Sequence, residues 1–317
     1  MGAARETAGS NRRLVITGCG YVGRAVAETA LAAGWAVEAL TRNGDKAAQL
    51  RSTLGLRVVE GDLASDDWHE ALDPAGATVI NCVSSGGGGV EGYRRSYLDG
   101  MRSLLEWAAR GPVRALLYTS STSLYGDAGG DWVDESTAAS VRSPFNEVLL
   151  ATEQALEAAA SAGIVPAAAA LRLAGIYGPG RHYFLDTMRG DDGPIPGYGD
   201  YVLNLIHRDD AARALLAVAA QPPRGYELYN VADDAPALRE EIAAWTAEQL
   251  GRPTPPFDPA RMSERQRRRA LSSGRPPNRR IANRKLKAAH SWAPQYADFR
   301  AGYRALLAGA GEGGRNP

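Results

Sequence analysis

Residues 14–42 constrain the fold of this chain more than any other stretch does, because several local patterns follow one another without a gap. A short apolar run at 14–17 predicts a buried strand, and the sequence GCGYVG at 18–23 follows it directly. Apolar residues at helical spacing then predict a helix that stops at Gly34. Because a second apolar run at 36–40 comes next, the stretch is predicted to be strand, glycine-rich turn, helix and strand.

The G-x-G-x-x-G spacing in this context predicts a dinucleotide-binding turn. Gly18 permits the tight turn out of the strand, Gly20 lets a pyrophosphate approach the backbone, and Gly23 lets the helix pack closely on the strand. The helix starts near Tyr21 and Val22, and its unpaired N–H groups favour an anion. A glycine-rich turn without a ligand is the alternative.

Later apolar runs alternate with helical patterns, which predicts an α/β fold with a doubly wound parallel sheet of six or more strands. In such a sheet the ligand binds beyond the carboxyl ends of the strands. Further candidates lie at two of those ends: Asp62 and Leu63 after the third strand, and Val83, Ser84 and Ser85 after the fourth. Four glycines follow at 86–89, which indicates either backbone close to a ligand or a plain loop.

Composition limits the classes of function. The 36 basic residues balance 36 acidic ones, so there is no global electrostatic argument for nucleic acid or an anionic membrane as a partner. The arginine-rich run at 264–280 is interpreted as a solvated loop or helix rather than a nucleic-acid patch. No stretch approaches 18 apolar residues, so we expect no membrane span.

Cysteine and histidine spacing predicts no metal site, because neither the two cysteines nor the four histidines follow a ligand pattern. Cys19 and Cys82 lie in or beside predicted core strands, and reduced packing cysteines fit a cytoplasmic location. We expect disordered tails at 1–12 and 309–317. Between them we expect a dinucleotide-binding domain and a smaller C-terminal substrate lobe. The domain comprises 13–180 with 200–232, and the lobe comprises 181–199 with 233–308.

Several motifs, in order, resemble those of the short-chain dehydrogenase/reductase superfamily, in its extended NAD-dependent epimerase/dehydratase branch, over about residues 13–308. They are TGCGYVG (17–23), EGDL (60–63), TSSTSLYG (119–126), LRLAGIYGPGR (171–181), HRDDAARALL (207–216) and YNVADD (229–234). The resemblance implies a Rossmann-type sheet and a cofactor of the NAD(P) class. It places Asp62 and Leu63 beside the adenine, and the matched motif at 171–181 adds Gly175 and Ile176 as cofactor contacts.

The resemblance also implies a tyrosine that transfers a proton and, four residues later, a lysine that lowers its pKa. Phe145 and Leu149 stand at those positions, and residues 47–284 contain no lysine. Phenylalanine cannot transfer a proton, and leucine cannot stabilise a phenolate. The usual proton relay is therefore not expected at its usual place.

Other family positions suggest substitutes. Ser121 matches a residue that hydrogen-bonds a substrate oxygen, and Tyr97 stands in a predicted helix at 91–110 where the family often has asparagine. Tyr97 is either a substitute proton donor or a core tyrosine. Tyr125 and Tyr177 match family positions and are substrate-site candidates, although tyrosine is also common there for packing. Arg181 and His182 lie just past a strand end, where they could bind an anion.

The end of the second strand favours NADP over NAD as the cofactor, and NAD remains the alternative. NAD-preferring proteins place an Asp or Glu about 20 residues past the glycine turn. Here Thr41 and Arg42 occupy that region, so no carboxylate repels a 2′-phosphate and the guanidinium could pair with it. Leu203 stands where many extended members carry an arginine that holds a nucleotide-sugar diphosphate, which weakens a nucleotide sugar as substrate.

Two functions remain open at this point. The first is an NADP-dependent oxidoreductase or epimerase-like enzyme that acts on a small carbonyl or alcohol with a non-standard proton donor, either Tyr97 or water. The second is an inactive NAD(P)-binding sensor or scaffold of the same fold. We expect a small-molecule substrate as the partner and a monomer or a homodimer.

Overall fold

The computed structural model of the chain describes residues 12–190, 193–270 and 272–312. In chain order the strands are β1 Arg13–Thr17, β2 Ala36–Thr41, β3 Arg57–Glu60, β4 Thr78–Asn81, β5 Ala115–Ser121, β6 Trp132–Val133, β7 Ala167–Leu173, β8 Gly175–Tyr177, β9 Ile195–Pro196, β10 Val202–Leu203, β11 Leu205–His207, β12 Gly225–Val231, β13 Ala237–Leu238, β14 Phe257–Asp258 and β15 Arg280–Ile281. The helices are α1 Tyr21–Ala32, α2 Gly44–Leu54, α3 Gly89–Arg94, α4 Gly100–Ala108, α5 Pro144–Ser161, α6 Tyr183–Arg189, α7 Arg208–Ala220, α8 Arg239–Gln249, α9 Glu264–Arg269, α10 Arg284–His290 and α11 Phe299–Glu312.

Seven strands form one parallel sheet in the order β3-β2-β1-β4-β5-β7-β12. The strand order reverses direction between β1 and β4, because the chain crosses back over β1 after β3. A ligand site is expected at such a switch point, beyond the carboxyl ends of the strands. The predicted doubly wound parallel sheet is confirmed.

Both faces of the sheet are covered by helices. On one face an apolar cluster packs α1 and α7 against the strands, with Val26 and Leu215 fully buried. On the other face α4 and α5 pack through Leu104 and Leu156. Successive residues of β1 divide between the two clusters, as the period of two in a strand requires. A third cluster joins α6, α8 and α11 and gives the C-terminal region a core of its own.

Three stretches differ from the sequence-based prediction. The single helix expected at 91–110 is α3 and α4 joined by one π-helical turn, Arg95–Asp99. Helix α2 was not assigned from the sequence. Helix α11 runs to Glu312, beyond the boundary expected at residue 308, and residues 1–11 and 313–317 of the expected tails lie outside the described residues.

Candidate functional site

A cleft of about 310 Å³ opens at the carboxyl ends of β1, β2, β3 and β4, on the side where the switch point predicts a ligand. Nine of the predicted cofactor contacts line it: Gly18, Gly20, Thr41, Arg42, Asp62, Leu63, Val83, Ser84 and Ser85. Seven further residues line it: Gly86, from the glycine run that the sequence left open as backbone near a ligand or a plain loop, and six that were not predicted as cofactor contacts, Leu40, Asn43, Lys46, Gly61, Cys82 and Ser96.

The three motif glycines are required for different reasons. Gly18 has a φ of 76°, and a Cβ there would lie 2.5 Å from backbone atoms of Val83. A Cβ on Gly23 would lie 2.7 Å from the carbonyl oxygen of Gly18. Among the described residues, the only atom within 4 Å of a Cβ at Gly20 is the Gly18 oxygen, 4.0 Å away, and Gly20 itself lines the cleft. The open side of Gly20 is where the sequence predicts the pyrophosphate.

The end of β2 is cationic. Neither Arg42 nor Lys46 forms a side-chain hydrogen bond or ion pair with any residue that the structure describes. Asn43 caps α2 through its side-chain oxygen, which accepts a hydrogen bond from the Lys46 backbone N–H at 2.9 Å. The helix N-terminus therefore adds its positive end to the same part of the cleft. The sequence signal for Lys46 was this Asn cap, which the sequence analysis overlooked.

Asp62 supplies the acidic side of the cleft. Its carboxylate lies 3.0 Å from the Arg95 guanidinium, in the π-helical turn, and accepts a hydrogen bond from the Ala64 N–H at 3.0 Å. Partial burial opposes ionisation, but these hydrogen bonds and the nearby charge of Arg42 outweigh it and lower the pKa of Asp62. Asp62 is therefore ionised at neutral pH, at the position where the family resemblance predicts the adenine.

The other predicted cofactor contacts do not line this cleft in the described part of the chain. Val22 and Gly23 pack against the core and β1. Gly175 and Ile176 belong to β8, which pairs with β11. The Tyr21 hydroxyl donates to the Pro179 carbonyl oxygen at 3.0 Å, which ties the glycine turn to the loop after β8.

Arg181 lies on the same tyrosine, since its guanidinium carbon is 5.6 Å from the centre of the Tyr21 ring. Arg208 approaches that ring at 5.2 Å. Two cations thus stack on one ring beside the glycine turn. The neighbouring His182 directs Nδ1 toward the Asp186 carboxylate, 2.8 Å away.

Ser121 and Tyr97 lie in different surroundings. Ser121 ends β5, and its Oγ accepts a hydrogen bond from the Ser123 N–H at 3.1 Å, so it caps the turn at 122–124. Tyr97 is half-buried in an aromatic cluster. Its ring centre is 4.4 Å from that of Tyr93, which in turn meets the Phe145 ring edge-on at 5.1 Å. The ring of Tyr93 therefore contacts both the candidate donor Tyr97 and Phe145.

Tyr125 and Tyr177 are buried. The Tyr125 hydroxyl donates to Asn230 at 2.8 Å, and the Arg172 guanidinium lies 4.7 Å from the ring centre. Tyr177 is 3% exposed and stacks on Tyr303 at 5.2 Å. Burial raises the pKa of both hydroxyls. These contacts agree with the packing role that the sequence left open for both tyrosines.

The sequence matches the NAD dependent epimerase/dehydratase family over residues 14–232. The chain belongs to this family. It is similar to protein YeeZ of Escherichia coli K12, with 30% identity over 253 residues, which cover 78% of this chain and 86% of YeeZ. The predicted family is therefore confirmed, and its description as NAD dependent agrees with the predicted cofactor class.

Two solved structures are similar over nearly the whole chain. One is a conserved protein of unknown function from Silicibacter pomeroyi DSS, at 28% identity and a TM-score of 0.73, with 94% of this chain and 99% of that one covered. The other is MoeE5 in complex with UDP-glucose and NAD, at 23% identity and a TM-score of 0.79, with 95% and 99% covered. At that identity, the likeness to MoeE5 shows a shared fold.

In this member of the epimerase/dehydratase family, neither of the two positions expected to carry the proton relay has a polar side chain. Phe145 joins the aromatic cluster, and Leu149 is 2% exposed on the buried side of α5. One turn further along the helix, Glu153 accepts hydrogen bonds from Arg172 and, at 2.5 Å, from Ser120. The sequence analysis missed this buried network, because partners so far apart in sequence leave no local pattern.

Among the described residues, no group of three or more His, Cys, Asp or Glu side chains could hold a metal ion. No helix in the same part of the chain is long and apolar enough to cross a membrane. Cys19 and Cys82 are free and buried. Burial raises the pKa of the Cys19 thiol to about 12, so it stays protonated and unreactive at neutral pH.

Proposed function

We propose that this protein is an NADP-dependent oxidoreductase or epimerase-like enzyme that acts on a small carbonyl or alcohol. The observation that carries the proposal is a pair of cations, Arg42 just after β2 and Lys46 in the first turn of α2, whose side chains form no hydrogen bond or ion pair with any described residue. In the described residues they lie in the cleft formed by the glycine turn, and the adjoining strand end offers Thr41 in place of a carboxylate.

The charge of the cleft supports NADP as the cofactor, because NADP carries a 2′-phosphate that NAD lacks. This phosphate would meet the Arg42 guanidinium, the Lys46 ammonium and the N-terminus of α2, all of which favour an anion. Without that phosphate the two cations would face the 2′-hydroxyl of NAD, which offers them no compensating charge. NADP is therefore the better fit to the cleft.

When bound, the nicotinamide would supply hydride chemistry, and the protein would bind and orient the reactants. Ser121 would donate a hydrogen bond to the substrate oxygen. Tyr97, or a water molecule, would hold the proton that this oxygen takes up or gives away. Leu203 packs against the C-terminal core and offers no charge for a nucleotide-sugar diphosphate, which favours a smaller substrate.

The test is a screen of small aldehydes and ketones for NADPH oxidation, repeated with Tyr97→Phe and Ser121→Ala. We expect Tyr97→Phe to slow turnover by about 10²–10⁴ while NADPH affinity stays unchanged, and Ser121→Ala to act in the same direction by less. If neither variant changes a measured turnover, both assignments of the donor are wrong.

The side chains of Phe145 and Leu149, which can neither transfer a proton nor stabilise a phenolate, favour a second candidate, an NAD(P)-binding sensor or scaffold without turnover. Tight NADPH binding with no oxidation on any carbonyl of the screen would support it. Failure to bind either nucleotide would contradict both candidates.

A further inference from the structure

Arg142 and Arg279 meet at the turn that follows β5, although 136 residues of chain lie between them. The Arg142 Nη2 donates to the carbonyl oxygens of Ser123 at 3.2 Å and Tyr125 at 3.1 Å. The Arg279 Nη2 donates to the carbonyl oxygen of Thr122 at 2.9 Å. The two side chains, both half-buried, therefore hold three residues of one turn.

Most of the donors on these two guanidinium groups have no hydrogen-bond partner among the residues that the structure describes. A guanidinium has about five N–H donors, but each arginine bonds the turn only through Nη2. The Nε atoms of both are buried with no partner among the described residues. An unpaired buried donor is costly, so it calls for an explanation such as an acceptor that the protein itself does not supply.

Charge gives the same indication. Neither Arg142 nor Arg279 forms an ion pair with a carboxylate in the described part of the chain. Burial, together with the nearby charge of Arg142, lowers the pKa of Arg279 to about 10. Asp127 acts in the opposite sense, but its carboxylate already accepts a hydrogen bond from the Asn278 N–H at 2.6 Å.

Arg172 also has one buried nitrogen, Nη1, with no hydrogen-bond partner among the described residues, but its charge is balanced within the protein. Its Nε and Nη2 bind both oxygens of the buried Glu153 carboxylate at 3.0 and 2.7 Å. Its charge is thus balanced by a fork that matches its shape. In the described part of the chain no carboxylate pairs with Arg142 or Arg279 in this way, and Arg142 lies next to the N-terminus of the 18-residue helix α5, which adds a positive dipole.

We propose that Arg142 and Arg279 together bind an oxyanion, the carboxylate or phosphate group of the substrate. This rests on the proposed function. The turn that they hold is capped by Ser121, so the anion would anchor the substrate beside the group proposed to contact the reacting oxygen. The substrate class becomes a small carbonyl or alcohol that carries a carboxylate or a phosphate.

The test measures the binding of two probes, inorganic phosphate and succinate, to the nucleotide-free protein by calorimetric titration at constant ionic strength. We expect saturable binding of one of them, which also identifies the preferred anion. The double variant Arg142→Gln with Arg279→Gln should bind that probe at least tenfold more weakly. Arg280→Gln is the matched control, because this half-buried arginine bonds Gly130 outside the turn, and it should bind like the unmodified protein.

Equal affinity of the double variant and the unmodified protein would overturn the proposal, and so would the absence of saturable binding by either probe. If the glutamine variant does not fold, Arg142→Lys with Arg279→Lys keeps the charge but loses the planar fork, and should bind with intermediate affinity. An unchanged affinity in that variant would also overturn the proposal. NADPH titration of the same samples distinguishes failure of the proposed function from failure of the anion site. A lack of NADPH binding contradicts the proposed function, whereas the result of the anion titration stands by itself.

Discussion

At the scale of single residues, substitutions at Gly18 and Gly20 should have different effects, the first on stability and the second on nucleotide binding. Replacing Gly18 by alanine would put a Cβ against Val83 in a backbone conformation with positive φ, so it should lower the free energy of unfolding by at least about 1–3 kcal/mol. Replacing Gly20 by valine meets no such obstacle, but fills the space of the pyrophosphate. We expect Gly20→Val to unfold in urea like the unmodified protein and to bind neither NADPH nor NADH. A Gly20→Val variant that retains nucleotide binding would refute the assigned position of the pyrophosphate.

Arg42 should account for most of the discrimination between the two cofactors, because its guanidinium is the charge at the end of β2. We expect Arg42→Ala to weaken NADPH binding by about 1–3 kcal/mol and to leave NADH binding nearly unchanged. Arg51→Ala is the control, because Arg51 belongs to the adjoining helix α2 but pairs with Glu60, outside the cleft. Equal losses in the two variants, measured by fluorescence titration, would show that the effect is not local.

At the scale of elements, α5 carries the positions that the family resemblance assigns to the relay. Restoring a tyrosine and a lysine as Phe145→Tyr with Leu149→Lys should lower the free energy of unfolding and should not create a fast enzyme. The reason is that Leu149 is 2% exposed, and Glu153, one turn further along α5, is already bound to Arg172. Leu150→Lys, at the half-buried neighbouring position, should destabilise less. A stable and much faster double variant would show that a relay pocket is present.

The sequence predicted elements wherever the signal is local. The strand–turn–helix–strand at 14–42 and the doubly wound sheet rest on apolar periodicity and glycine spacing, and the structure confirms them. The π-helical turn Arg95–Asp99 was not predicted. The apolar residues on either side of it, such as Tyr97 and Met101, follow the spacing of one continuous α-helix in the sequence. The arginine pair 142 and 279 depends on contacts between distant parts of the chain, which periodicity cannot show.

At the scale of the whole molecule, His207 should make stability depend on pH. It is 2% exposed, packs on Tyr296 at 4.1 Å, and its Nδ1 accepts a hydrogen bond from the Asp209 N–H. Burial lowers its pKa from 6.5 to about 4. Between these two values the unfolded chain binds a proton that the folded chain does not, so stability falls as the pH drops from 6.5 toward 4.

The size of this effect should be about 1–3 kcal/mol. Urea unfolding at pH 7 and pH 5 measures it, and His207→Gln should reduce the difference between the two free energies without abolishing it. Some dependence remains because burial also lowers the pKa of His69 and His290. An unchanged difference in the variant would mean that His207 titrates alike in the folded and unfolded chains.

The central claim is that the cleft selects NADP over NAD. Its most direct test uses the whole molecule, because the glycine turn, the strand ends and helix α2 must act together in this selection. The measurement is the dissociation constant of the unmodified protein for NADPH and for NADH under identical conditions. The account predicts tighter binding of NADPH by about 1–3 kcal/mol, roughly a factor of 5 to 150. Equal constants, or tighter binding of NADH, would contradict it.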